Sequence, residues 1–181
     1  HLRKRYWGRL RRRAPISRKP EAATLLSRSV EEQRKLCRRR ALGLLARREH
    51  SRLELENKLA DRSFGAEFIC STLDQLQEEG LLAETRFVEE FIRSRAFKGN
   101  GPIRIRAELL ERGIGEHEVR SALAVAGFDW LGLAGAARTK RFGTNAPGDL
   151  KERARQIRFL RYRGFEMAQI NAALDLDGNS D

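Results

Sequence analysis

The sequence predicts an all-α fold of three tandem three-helix repeats, and three observations lead there. From Ser29 onward apolar residues recur at the three-and-four spacing of helices, and no run alternates β-branched residues as a strand would. Capping residues, glycines and prolines cut that pattern into pieces of helix length. A fifteen-residue window recurs at 59–73, 109–123 and 160–174, starting 50 and then 51 residues apart.

The elements follow in order. Ser29 and Glu32 have the spacing of a capping box and open a helix whose stripe is Cys37, Ala41, Leu44 and Leu45. His50 interrupts it. Ser51 and Glu54 form a second box before Leu55, Leu59 and Ala60. Gly65 starts a third helix, with Phe68, Ile69, Thr72, Leu73 and Leu76 on one face, ending near Gly80. The second block repeats the rhythm: Phe87, Val88, Phe91 and Ile92 share a face, and residues 98–101 break it. Pro102 takes a first helical position, where its missing N–H costs nothing. That helix carries Ile103, Ala107 and Leu110 and stops at Gly113. Gly115 opens the next, through Val119, Ala122, Leu123 and Ala126. A shorter helix runs from Trp130 to about Arg141, Asp149 and Glu152 cap one to about Arg163, and the last carries Met167, Ile170, Ala173 and Leu174.

Within the recurring window the first and last positions are always Leu, the fourth is Arg (Arg62, Arg112, Arg163), and the sixth is bulky and apolar (Phe64, Ile114, Phe165). The window reads as the end of a second helix, a tight turn and a third helix. Gly113 and Gly164 suit a left-handed C′ position; Ser63 in the same place departs from it. Phe64, Ile114 and Phe165 belong in the core, and Trp130 belongs between the second and third repeats. Repeats 31–82, 83–129 and 130–181 are each too small to bury much alone, so each leans on its neighbour in an elongated body.

The formal net charge of +12 over 181 residues is unevenly placed. Residues 1–30 carry ten Lys/Arg against Glu21, whereas 31–82 and 83–129 are each neutral and 130–181 carries +3. The first segment reads as a disordered basic arm with Tyr6 and Trp7 available to stack on bases. No apolar run approaches the roughly 20 residues of a membrane span, and the basic start is not followed by the apolar stretch of a signal peptide. Two lone cysteines, Cys37 and Cys70, read as small core residues and suit a reducing cytoplasm. His1, His50 and His117 lie too far apart for a zinc site, no phosphate-binding loop appears, and no catalytic constellation stands out, so neither an enzyme nor a cofactor is expected. The binding candidates are basic: Arg38, Arg39, Arg40, Arg47 and Arg48 in the first repeat, Arg104 and Arg106 after the Gly-Pro turn, and Lys140, Arg141, Arg158 and Arg161 in the third. Arg112 and Arg163 read as C-terminal helix charges favoured by the dipole.

Residues 44–55, residues 79–82 with Arg86 and Phe87, residues 98–114 from Lys98 through Pro102 to Arg112, Gly113 and Ile114, and Lys140, Arg141, Phe142 and Gly143 with Arg158 to Phe165 together resemble the RecX family. These are bacterial regulators of the RecA recombinase. The resemblance covers about residues 37–176; Thr85, in place of the usual Asp, and Ser63, in place of a common Gly, depart from it. It implies a curved, monomeric, cytoplasmic body of three three-helix repeats that binds the RecA filament on single-stranded DNA, with weaker contact to double-stranded DNA. There it limits filament growth or promotes disassembly, lowering strand exchange, ATP hydrolysis and co-protease action in homologous recombination, DNA repair and the SOS response. The rival is a sequence-independent DNA-binding protein that uses helix-turn-helix modules and the basic arm. On that reading the third helix of each module should be basic, and residues 65–79 and 116–126 are not.

Overall fold

The computed structural model describes residues 29–175, so the basic arm with Tyr6 and Trp7 lies outside the described residues. Among them are nine helices and no strand: α1 (Val30–Leu45), α2 (Arg52–Ala60), α3 (Ala66–Glu78), α4 (Glu84–Phe97), α5 (Pro102–Leu110), α6 (Glu116–Val125), α7 (Trp130–Phe142), α8 (Leu150–Arg163) and α9 (Met167–Asp175). All the extensive helix–helix packing falls within α1–α3, α4–α6 and α7–α9, and each trio has its own core. Leu59, Leu109 and Leu160, the first position of each repeated window, are fully buried. Each burial contributes about 2 kcal/mol.

Caps set the helix starts. Ser29 and Glu32 make the reciprocal box, with Glu32 N–H donating to Ser29 Oγ at 3.2 Å and Ser29 N–H to Glu32 Oε2 at 3.0 Å. Ser51 does only half of this: its Oγ accepts from Glu54 N–H at 3.1 Å, while the Glu54 carboxylate turns to Arg48 at 2.9 Å and Arg112 at 3.2 Å. Asp149 caps α8 through Glu152 N–H at 2.6 Å.

The turn between the second and third helix is the same three times. Phe64, Ile114 and Phe165 donate N–H to the carbonyls of Leu59, Leu109 and Leu160, and Ser63, Gly113 and Gly164 donate to Ala60, Leu110 and Arg161. This is the Schellman pairing, which satisfies helix-end carbonyls at the cost of one left-handed residue. Ser63 pays that cost at φ 66°, against 83° at Gly113 and 87° at Gly164. The residues after the turn are buried as expected, at 7%, 3% and 2% exposure for Phe64, Ile114 and Phe165.

Several expectations are corrected. Cys70 is exposed, because it sits one position off the Ile69–Leu73–Leu76 stripe; Cys37 alone is core, its thiol pushed up in pKa by burial. The fully buried residues of α5 are Pro102, Ile105 and Leu109, and Leu110 packs part-buried on the same core, whereas Ile103 and Ala107 face outward because Pro102 itself is packed inward. Ala60 and Met167 face outward. The helix from Trp130 is 13 residues long, close to α4 at 14. Thr85 is the second residue of α4, whose cap position, Ala83, makes no side-chain bond.

Candidate functional site

Two junctions join the trios, and both use the repeated Arg. At the first, Arg112 reaches back from the α5–α6 turn to Glu54 of α2, at 3.2 Å, with its guanidinium 4.7 Å from the Phe91 ring centre. Arg86 at the start of α4 pairs with Glu49 at 2.7 Å, and Leu53 lies against Gly113. At the second, Arg163 donates to the Lys98 carbonyl at 2.9 Å and stacks on Phe159. Gly101 N–H donates to the Arg163 carbonyl at 2.8 Å and Ile103 N–H to the Gly164 carbonyl at 3.0 Å. The backbones touch there: a Cβ on Gly101 would stand 2.4 Å from the Gly164 oxygen. Arg112 and Arg163 are thus ties to the preceding trio; Arg112 also donates to its own helix's Glu108 carbonyl, the helix-end role expected of it. Trp130 packs on Phe128 at 5.3 Å between ring centres, placing the start of α7 against the second core as expected.

The predicted binding residues separate into groups. Arg38 pairs with Glu79 at 2.6 Å, a hydrogen bond that raises the guanidinium pKa, and Arg48 with Glu54 at 2.9 Å. Arg39, Arg40 and Arg47 line one groove together with Arg62, whose side the repeat did not single out for binding. Arg104 lies at the second junction, bonded to Glu108 at 2.9 Å, which raises its pKa, and set over the Tyr162 ring at 5.4 Å. Arg106 pairs with Glu116 at 2.7 Å. Lys140 and Arg141 line a groove at the second junction with Lys98, Phe97 and Arg163. Arg158 and Arg161 do not line it; both are exposed on α8.

One functional-looking residue escapes sequence reasoning. Arg138 on α7 is 1% exposed and donates to Gln156 Oε1 at 2.8 Å and the Asn145 carbonyl, pinning the 143–149 loop to α8. Its signal was its position four residues after the buried Ala134. His50 is likewise buried, at the α1–α2 turn, with Nδ1 3.0 Å from the Arg48 carbonyl.

Family models for the first, second and third three-helix domains of RecX match residues 37–76, 84–123 and 132–174. The chain is 48% identical over 133 residues to the regulatory protein RecX of Halorhodospira halophila, covering 74% of this chain and 83% of that one. With the regulatory protein RecX of Pseudomonas savastanoi pv. phaseolicola it shares 45% over 144 residues, 80% of this chain and 93% of that one. The crystal structure of RecX from Lactobacillus salivarius has the same fold, with a TM-score of 0.69 at 17% identity over 82% of this chain and 99% of that one. With three domains matched in order and nearly half the residues shared with such relatives, this chain belongs to the RecX family of regulatory proteins.

Proposed function

We propose that the chain regulates RecA by binding its filament on single-stranded DNA, limiting filament growth and so lowering recombinase, ATPase and co-protease activity. The observation that carries this reading is the spread of exposed cations over both end modules of a three-module stack: Arg39 and Arg47 at one end, Lys140, Arg158 and Arg161 at the other. Such a series suits a long charged partner better than a small ligand. The relatives are named regulatory proteins, and the proposed action is occupancy, with no catalytic step and no cofactor. We place it as a cytoplasmic monomer; no described helix is long and apolar enough to cross a membrane.

The competing reading, insertion of third helices into a DNA groove, meets the wrong charge. Helix α3 carries Glu67, Asp74 and Glu78 without a basic residue, α6 carries Glu116 and Glu118 against Arg120, and the only charge on α9 is Asp175. Phosphates would be repelled from each. The test is RecA ATPase on single-stranded DNA with the protein added far below one per RecA. The rate should fall; an unchanged rate removes the proposal. Binding to a free oligonucleotide that weakens by about 0.7 log units per log of salt for each phosphate contacted would instead support the DNA-binding reading.

A further inference from the structure

The repeat supplies each trio with one face turned toward the trio before it. In α4–α6 that face holds Phe91, Arg95 and Arg112, and it receives Glu54 and Leu53 from the start of α2. In α7–α9 it holds Ala137, Arg141 and Arg163, and it receives the turn from Phe97 to Gly101. Both occupants come from one part of the preceding module, the connection between its first and second helices and the start of the second helix that follows it. Both are gripped by the repeated Arg, once through a carboxylate and once through a carbonyl.

In the first trio the corresponding face is a groove of about 430 Å³. Leu36 and Leu44 give it an apolar floor, and the cations Arg39, Arg47 and Arg62 stand along its lining. Arg62 is exposed, whereas Arg112 and Arg163 are half-buried under their neighbours. The turn residue tells the same story. Gly113 and Gly164 have Leu53 and Arg104 pressed against the place where a Cβ would stand, whereas the first trio carries a Cβ at that position, on Ser63. A side chain stands there in the one trio with no described module before it.

We propose that this groove docks an acidic turn of a partner polypeptide, seated as the preceding module is seated on the other two faces. Charge complementarity with the exposed Arg39, Arg47 and Arg62 supports this, together with two internal examples of the same face holding part of a preceding module. An incoming carboxylate would meet Arg62 as Glu54 meets Arg112, and an apolar side chain beside it would cover Leu36 and Leu44. The inference rests on the proposed function for the partner's identity, the RecA filament; the site and its chemistry come from the repeat.

The test places a benzophenone photocrosslinker at position 43, in place of Gly43, where a Cβ meets nothing within 4 Å, with a second at the exposed position of Ala154 as control. The full chain is irradiated on RecA filaments assembled on single-stranded DNA, ATPase is followed in parallel, and the adducts are mapped by mass spectrometry. The expected adduct at position 43 lies on an Asp- or Glu-bearing turn of RecA. Arg62→Glu should reduce it at least about tenfold while weakening free-oligonucleotide binding no more than Arg161→Glu does. An adduct on DNA makes the groove a phosphate site and overturns the proposal, as does an adduct on residues 1–28 or on a second copy of the chain. Inhibited ATPase with no adduct at position 43 removes this inference and leaves the proposed function standing. Unchanged ATPase with no adduct removes both, and unchanged ATPase with an adduct on an acidic RecA turn supports the site against the function.

Discussion

The two junctions solve one packing problem by different physics. Between the first and second trios the contact is made by side chains: Glu49 with Arg86, Glu54 with Arg112, and Leu53 over Gly113. Between the second and third it is made by main chain, with two N–H donors of residues 101 and 103 on the carbonyls of residues 163 and 164, and by the aromatic run of Phe97, Phe128 and Trp130. Side-chain ion pairs tolerate small displacements and respond to salt; a backbone–backbone seam allows neither. The first junction is therefore the more compliant of the two, and the second is the rigid one.

The change that breaks the rigid junction most directly is Gly101→Ala. Gly101 has φ −86°, which any residue adopts, so the substitution strains nothing locally. Its Cβ would nevertheless stand 2.4 Å from one backbone atom of Gly164 and 2.6 Å from the Phe165 nitrogen. The backbones must part, and the expected cost is about 3 kcal/mol in urea unfolding. At the first junction the matching residue is Ser51, fully buried with its side chain in place, so Ser51→Gly should cost only about 0.3 kcal/mol through the lost cap. Equal losses at the two positions would abolish the distinction between the junctions.

The turn residues give a smaller and signed comparison. Gly113→Ala forces positive φ and meets Leu53 at 3.1 Å, a side chain that can move, and should cost about 1–2 kcal/mol. Ser63→Gly relieves φ 66° at an exposed position and should stabilise by about 0.5–1 kcal/mol. Thermal unfolding of the two variants side by side checks the opposed signs.

This contrast also shows what the sequence could carry. The repeated turn was legible because its bonds run between residues three and five apart, and the period of glycine, arginine and apolar residue is written locally. What the arginines touch was not. Arg112 finds Glu54 and Arg163 finds the Lys98 carbonyl across 58 and 65 residues, distances at which no local pattern operates. The same is true of Arg104, read as a binding residue at a helix start and found at the junction with Tyr162. Ser63 is the instructive case. In sequence it was a departure from a glycine pattern; in the fold it is a left-handed serine at the turn of the first described module. The buried Arg138 was hidden because its satisfaction depends on a loop whose path is set by packing.

Removing the acids of the first junction tests its electrostatic character. Glu49→Gln with Glu54→Gln should cost about 1 kcal/mol at low salt, and less as salt rises, since Arg86 and Glu54's partners are partly exposed and screened. Unfolding of the original chain and the double variant across a salt series is the measurement; a loss independent of salt would mean that shape, not charge, holds the junction.

The smallest effect separates the two receiving turns by pH. His50 in the first and Asn100 in the second occupy matching positions and are both buried, at 3% and 7% exposure. Burial lowers the His50 pKa from 6.5, and the nearby Arg48 and Lys58 charges push the same way, against the Arg48 carbonyl and Glu54. A histidine with a lowered folded pKa is neutral in both states above pH 6.5, so stability is complete there. As pH falls below 6.5 the unfolded chain takes up a proton that the folded chain refuses, and stability declines by at most about 1.4 kcal/mol per pH unit until the folded value is reached. His50→Asn copies the second turn and removes the titration. The difference in unfolding free energy between variant and original should therefore shift in the variant's favour between about pH 7 and pH 5. The carboxylates common to both chains titrate alike and cancel from that difference, so a curve that stays flat over this range would show that His50 accepts its proton without opening the turn.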